Sequence, residues 1–369
     1  MMAVMQQNRK MLVVAAMSGG VDSSVAALLL KRRGYHVVGV FIRSYNLDGC
    51  QDREAEDARR VAEYLRIPFY VWDLEKEYRT KVVSYLIEEY RCGRTPNPDV
   101  MCNRDIKFGV FLRRALAIGA NAIATGHYAR RKALPDGSFA LFPGKDAQKD
   151  QSYFLWTLTQ HQLAHTLFPL GTLTKTRVRQ MAKSAGLPTA EKKDSQGICF
   201  LGNISLRDFL KEHIPQKKGK VLTPDGTVIG THEGAHLYTI GQRRGIGAVK
   251  HQKGVTEHVP LYVVAKDIAR NTITVAPRND SRYITTTLRL EQVHRIREYA
   301  IHNDEEVLVR LRYRQPLIPA RLRILRRKSA ILTFSSPTAS AAPGQSAVWY
   351  RKNGEVGGGG IIAAEHLTK

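Results

Sequence analysis

Two periodicities alternate through the first 130 residues, and that alternation constrains the chain more than any other feature. Residues 11–16, MLVVAA, form an apolar run suited to a buried strand. SSVAALLLKRRG behind it has the spacing of a helix closed at Gly34. HVVGVFI (36–42) and FYVWDL (69–74) repeat the strand pattern, with the amphipathic helix DREAEDARRVAEYLRI (52–67) between them. A helix is expected over 76–91, another in NRDIKFGVFLRRALAIG (103–119), and a further strand in ANAIATGHY (120–128). Strands alternating with helices predict the α/β class, with a doubly wound parallel sheet. Ligands of such sheets bind beyond the carboxyl ends of the strands. The Ser18–Ser23 loop and the Gly126-His127 pair are both expected there.

Past residue 205 the texture changes. SLRDFLKEHIP reads as a short helix. KVLTPDGTVIG, with its Pro-Asp-Gly turn, and LYVVAKDIARNTITVAP read as hairpins. From 281 the chain is strand-like and Arg-rich, with RLRYRQ and RLRILRRK, and it runs into EVGGGGII. These textures predict a nucleotide-binding domain over 1–205, a small central module over 206–280 and a C-terminal β-barrel over 281–369.

The stretch AMSGGVDS, residues 16–23, joins the first strand to the first helix. Strand, glycine turn and helix N-terminus together make an anion site, because free N–H groups and the helix dipole face the ligand. Gly19 and Gly20 admit a phosphate to the backbone, Ser18 and Ser23 offer hydroxyls, and Ser23 is also a candidate cap. A Walker loop carries a lysine for the β- and γ-phosphates. This loop has none, and Asp22, suited to Mg²⁺ or to a helix N-terminus, lies inside it. Such a loop is expected to hold pyrophosphate as a leaving group, with AMP transferred to a substrate oxygen.

The chain carries 57 Lys and Arg against 33 Asp and Glu, a formal net charge of +24. A polyanion is the natural partner, nucleic acid first. No run of 18 apolar residues occurs, so no membrane helix is expected. The N-terminus lacks the apolar core of a signal peptide. Four scattered cysteines without a CxxC pair argue against a disulfide scaffold or a zinc ribbon, and no structural metal site is expected. A reducing, cytoplasmic setting fits this usage.

Two of the cysteines have neighbourhoods that suggest chemistry. In RCGRTPNPDVMCNRDIKF (91–108), Pro96 and Pro98 hold Asn97 extended, Asp99 is expected at the mouth of a helix, and Cys102 in its first turn. A helix N-terminus with Arg94, Arg104 and Lys107 nearby favours thiolate, and Asp99 is a candidate acid or base. Cys199 follows Gly197 in the polar loop KKDSQGICFLG (192–202). Both thiols are expected at loop or helix-start positions outside the core, whereas Cys50 and Cys92 are expected to be structural.

Residues 18–23, SGGVDS, resemble the PP-loop of the ATP pyrophosphatases. Together with GRTPNPDxxCN, ATGHY, KDQSYFL, DSxGICF, GQRxGxG, RYRQ and PGQSAV, the chain resembles the bacterial tRNA-specific 2-thiouridylases from Val13 to about Ile362. The resemblance implies ATP-dependent adenylation of the C2 oxygen of the wobble uridine (tRNA position 34), then sulfur transfer from a cysteine persulfide. It assigns ATP to Ala16, Met17, Ser18, Gly19, Gly20, Val21, Asp22, Ser23, Ile42 and Gly126. Asn97, Pro98 and Asp99 would surround the target base, with Asp99 the acid/base. Cys199 would carry the persulfide, and Cys102 would release the sulfur, the pair ending as a disulfide. His127, Lys149, Asp150, Gln151, Arg312, Tyr313 and Gln345 would contact tRNA. The implied cofactors are ATP and Mg²⁺. The implied partners are the anticodon arm of tRNA and a persulfide sulfur donor, with no membrane. Ala16, Ile42 and Gln196 stand where Gly, Met and Thr are usual in the family.

The target base must leave its stack to react. Residues 281–369 hold 15 Lys and Arg against 7 Asp and Glu, so the barrel is the expected RNA clamp, with Tyr313 and Tyr128 as stacking surfaces. One point stays open at this level. Asp99, Cys102 and Cys199 could act as thiols with an acid or hold an iron–sulfur cluster with an open position. An amidating PP-loop ligase is disfavoured because nothing resembles a glutaminase.

Overall fold

The computed structural model describes residues 8, 10–45, 49–194, 202, 204–246, 259–298, 304–325, 328–339 and 341–364. The N-terminal sheet is built on β1 (Leu12–Ala16), β2 (His36–Arg43), β3 (Phe69–Asp73) and β4 (Ala122–Ala124). A hairpin of β5 (Ala129–Ala133) and β6 (Phe139–Pro143) follows, and then β7 (Thr166–Leu167) completes the sheet. Its order is β3-β2-β1-β4-β7, and every pairing is parallel. Alternate residues of a strand face opposite sides. Val13 and Ala15 therefore join one core with Val25 and Val61 of the Val21–Arg32 and Cys50–Leu65 helices. Val14 joins the other with Val82, Leu86 and Phe111 of the helices over 75–91 and 98–117. Covered on both faces, β1 needs no polar residue, which explains its unbroken apolar run. The α/β expectation holds. The strand order reverses at β1, so its carboxyl end and that of β4 flank a crevice.

The central module pairs β8 (Gly219–Leu222) with β9 (Val228–His232), and β10 (Leu261–Asp267) with β11 (Thr272–Pro277). A parallel β11–β8 contact joins the two hairpins into one sheet. The preceding Leu206–His213 helix buries Phe209 and Leu210 in the N-terminal core beside Val82 and Leu86.

The C-terminal strands are β12 (Ile284–Arg295), β13 (Glu305–Arg310), β14 (Ile318–Leu325), β15 (Ser329–Ala339), β16 (Ser346–Tyr350) and β17 (Val356–Ile362). They close into a barrel in the order β12-β15-β14-β13-β16-β17. On β14, Ala320 and Leu322 point inward while Arg321 and Arg323 are exposed, the two-residue period of a half-buried strand. The glycine run of β17 provides space. A Cβ at Gly359 would stand 2.5 Å from Trp156 Cδ2, so glycine lets the N-terminal domain's Trp156 lie against the barrel wall. Trp156 Nε1 then donates to Ser346 Oγ (3.1 Å), and the Tyr153 hydroxyl donates to the Ser346 carbonyl (2.8 Å).

Candidate active site

The glycine loop lies at the crevice beside β1. Gly19 has φ +71, and a Cβ there would fall 2.3 Å from the Glu54 carbonyl, so only glycine fits. The helix behind it starts at Gly20 with no side-chain cap. Ser23, a candidate cap by sequence, instead accepts from the Ser18 amide (3.1 Å) and donates to the Gly20 carbonyl (3.0 Å), closing the loop on itself. Gly126 presses on the same turn, where a Cβ would meet Ser23 N at 3.0 Å. Met17 and Val21 are buried beneath, Ala16 ends β1, and Ile42 lies near the carboxyl end of β2, opposite Trp72.

A lysine reaches the loop from 153 residues away in the chain. Lys175 Nζ donates to Asp22 Oδ1 (2.8 Å) and Oδ2 (2.7 Å). The Tyr128 hydroxyl donates to Asp22 Oδ1 as well (2.7 Å). Asp22 lies in the first turn of the loop helix, as expected of a residue suited to a helix N-terminus, and its carboxylate is held by an ammonium and a phenol. The same lysine lies 2.8 Å from Asp194 Oδ1, and Asp194 also takes Lys149 (2.7 Å) and Arg179 (2.6 Å). Burial raises the Asp194 pKa, but hydrogen bonds from Lys149 and Lys175 outweigh it and hold the carboxyl below its usual range. Lys175 and Asp194 were missed as site residues. The signal available was the Asp194 that opens DSQGICF, an acidic residue ahead of the cysteine loop.

Across the crevice, the helix over 98–117 carries the second half of the site. Asn97 caps it, accepting from the Val100 amide, and Pro98 takes the first helical position, where its missing N–H costs nothing. Asp99 follows. Burial raises its pKa above the ordinary 3.8, against a smaller opposing pull from Lys107. Cys102 corrects two expectations. It is the fifth helical residue, one past the first turn, and it is buried at 3% exposure inside the apolar core. From Cys102 to Phe111 the helix is π-wound, a form that recurs at functional sites. Two of the cations close to Cys102 in sequence have carboxylate partners. Arg94 pairs with Glu89 (Nε to Oε2, 2.7 Å), and Arg104 lies fork-to-fork on Asp105 (3.1 and 2.9 Å). Cys199 and Gln196 lie outside the described residues. Among the described residues, no group of three His, Cys, Asp or Glu is placed to hold a metal.

The segment after β4 joins the two halves. Gly126 touches the loop helix, and Tyr128 reaches Asp22. Between them, the His127 ring lies 5.8 Å from that of Phe108 on the Cys102 helix. His127 is buried, and burial drives its pKa well below 6.5, with Lys107 adding to the effect. Its Nδ1 lies 2.8 Å from Thr125 Oγ1. Lys107 thus acts on both Asp99 and His127.

The residues that the resemblance assigns to tRNA divide sharply. Asp150 is buried and accepts from Arg310 of β13 (2.7 Å), the Gly144 and Ser152 amides (3.1 and 3.0 Å) and Ser152 Oγ (3.1 Å). It offers no surface to RNA and instead rivets the barrel to the N-terminal domain. His127 is buried too, and so is Tyr128 (2% exposed), so Tyr128 is no stacking surface. Gln151 accepts from the Tyr128 amide (3.0 Å). Gln345 donates to the Thr95 (2.8 Å) and Pro96 (3.2 Å) carbonyls, tying the barrel to the segment before Asn97. Thr95 also meets Thr239 of the central module (3.1 Å), so all three parts of the chain converge there. Arg312 is exposed and lines an open cleft of about 290 Å³ with Thr239, Gln242 and Gln345. Tyr313, half-buried, packs against Phe154 at 4.6 Å between ring centres.

Three family models match consecutive stretches. They are described as the tRNA methyl transferase HUP domain (residues 11–203), the tRNA methyl transferase PRC-barrel domain (207–277) and the aminomethyltransferase beta-barrel domain (285–362). Full-length relatives carry the name tRNA-specific 2-thiouridylase MnmA. That of Streptococcus thermophilus strain CNRZ 1066 is 44% identical over 348 residues, covering 93% of this chain and 92% of the relative. That of Streptococcus sanguinis strain SK36 is 44% identical over 364 residues, covering 97% and 96%. The Geobacillus thermodenitrificans strain NG80-2 protein is 43% identical over 347 residues, covering 92% of each chain. With the glycine loop, the Asn97–Cys102 turn and the barrel in the places described, this chain belongs to the tRNA-specific 2-thiouridylase family.

Proposed function

We propose that this protein uses ATP to replace the C2 oxygen of a tRNA wobble uridine with sulfur. ATP lies with its phosphates on the Ser18–Ser23 loop and its adenine near Ile42. Mg²⁺, where present, offsets phosphate charge beside the loop. The uridine, flipped from the anticodon stack, enters between Asn97, Pro98 and Asp99. As its O2 attacks the α-phosphorus, Asp99 accepts the N3 proton and pyrophosphate departs. The terminal sulfur of a persulfide on Cys199, loaded by a sulfur donor, then attacks C2, and AMP leaves. Cys102 attacks the Cys199 sulfur, the S–S bond to the new thiocarbonyl breaks, and a Cys102–Cys199 disulfide remains. That disulfide takes up the two electrons' worth of oxidation that reduces the persulfide sulfur.

The observation that carries this reading is the Gly126–Tyr128 bridge. It touches the glycine loop through Gly126 and Tyr128, and through His127 it packs on Phe108 of the helix that carries Asp99, a carboxyl that burial shifts toward its acid form. Arg312, Tyr313 and the Lys149 ammonium are the residues of the assigned set that contact tRNA. Asp150, His127, Gln151 and Gln345 act from behind by holding the elements that do. Net charge, barrel basicity and tRNA as substrate agree.

The test is Cys102→Ser with tRNA, ATP, Mg²⁺ and a persulfide donor. Thionucleoside, read by mercury-gel retardation, is expected to fall at least 100-fold, while tRNA-dependent pyrophosphate release persists. Full thiolation by this variant, or cleavage of ATP to ADP by the unaltered protein, would remove the proposal.

A further inference from the structure

Lys175 is in an electrostatically awkward place. It is the first residue of the Lys175–Ser184 helix, where the dipole disfavours a cation, and its ammonium reaches the N-terminal turn of a second helix at Asp22. Nor is it free to leave. Thr174 caps its helix by accepting from the Arg177 amide, and the Lys175 amide donates to Asp146 Oδ2 (2.8 Å). Val178 and Ala182 of the same helix are buried in the core that holds Val25 and Ala26 of the loop helix. The side chain is only 12% exposed. Two half-buried carboxylates, Asp22 and Asp194, offset the charge. Lys149 and Arg179 also hold Asp194, but of these three cations Lys175 alone reaches Asp22.

A cation fixed where two positive helix ends converge, beside an uncapped glycine loop, is arranged for an anion. We propose that Lys175 is the phosphate lysine of this loop. Its ammonium binds the β- and γ-phosphates of ATP and stabilises the charge that grows on pyrophosphate as it leaves. Asp22, itself held by the Tyr128 hydroxyl, keeps the ammonium in register before the nucleotide arrives, and Asp194 steadies it from the other side. No bond to Lys175 forms or breaks. Its part is the charge that a Walker loop carries within its own sequence, supplied here from a separate helix. This assignment rests on the nucleotide reading of the loop.

The two are tested apart by comparing ligands that share adenosine and the α-phosphate but differ beyond it. ATP, AMP and inorganic pyrophosphate are titrated calorimetrically into the unaltered protein and into Lys175→Met. The variant is expected to lose at least tenfold in affinity for ATP and for pyrophosphate, and less than twofold for AMP. A lysine that merely joined Asp22 to Asp194 would weaken AMP and ATP alike. An equal loss for both nucleotides, or no loss for either, overturns the proposal. Should Lys175→Met fail to fold, Lys175→Arg keeps the ion pairs and carries the same comparison. Its broader head should shift ATP affinity several-fold and leave AMP unchanged, and an equal response to both nucleotides overturns the proposal again. If the unaltered protein binds none of the three ligands, the nucleotide reading itself fails.

Discussion

The two walls of the crevice treat charge in opposite ways. On the glycine-loop wall, Asp22, Lys175, Asp194, Lys149 and Arg179 are all paired, and Asp194 is held more acidic than usual by its partners. On the other wall, burial dominates. Asp99 is pushed toward its neutral acid and His127 toward neutral imidazole, while Cys102 lies in the apolar core. The first wall prepares a field for a polyphosphate. The second suppresses charge, which moves a carboxyl toward its protonated form. Two electrostatic environments thus meet at the Gly126–Tyr128 segment.

Asp99→Asn tests the second wall most severely. As proton acceptor, Asp99 is expected to account for about 100- to 10,000-fold of the thiolation rate. Its contribution to stability has the opposite sign. A carboxyl whose folded pKa lies above its unfolded value contributes fully below the unfolded value and loses that contribution as pH rises through the folded one. Asp99→Asn should therefore melt higher than the unaltered protein at pH 7, and the gap should close below about pH 4. A variant that loses activity and also melts lower at pH 7 would show that Asp99 is held by favourable partners, which would erase the contrast between the walls.

The join behind the walls comes next. Arg310→Met removes the partner of a buried carboxylate, and Asp150 keeps only the Gly144 and Ser152 donors. Breaking such a pair from one side costs about 3–5 kcal/mol. Denaturant unfolding should read this loss, and limited proteolysis should show the barrel loosened from the N-terminal domain. A loss below about 1 kcal/mol would mean that the docking rests on the other contacts, those of Trp156, Tyr153 and Gln345 among them.

These contrasts also explain what could be read from the chain. β1, its helix and the glycine loop were legible because they are local. A strand covered on both faces has to be apolar, and a turn at φ +71 against the Glu54 carbonyl has to be glycine. The hairpins and the strand texture of the Arg-rich RLRILRRK stretch, much of it in β14, were legible for the same reason. Lys175 was not, because nothing local to a lysine at a helix start points to an aspartate 153 residues earlier. Asp150 misled in the opposite direction. Its motif KDQSYFL marks importance, but which side of the surface an acidic residue faces depends on Arg310, brought in by the barrel. Cys102 misled because a polar, charged neighbourhood suggests a surface position, whereas the residue is the fifth of its helix and is buried in the apolar core.

The smallest effect sharpens the charge-suppressing wall at its other titrating group. His127 has a folded pKa well below 6.5, so the unfolded chain binds the extra proton first, and stability falls as pH drops below 6.5. His232, His236 and His294 are shifted in the same direction by burial, so the whole protein should weaken in mild acid. His127→Asn retains a polar atom for Thr125 Oγ1 and removes one titrating site. Melting curves between pH 7.5 and 5.5 should show the acid slope reduced by at most about 1.4 kcal/mol per pH unit, the worth of one proton. An unchanged slope would place the His127 proton in both states alike. Burial and Lys107 would then be too weakly felt at the ring to matter, and the quiet wall would reduce to Asp99 alone.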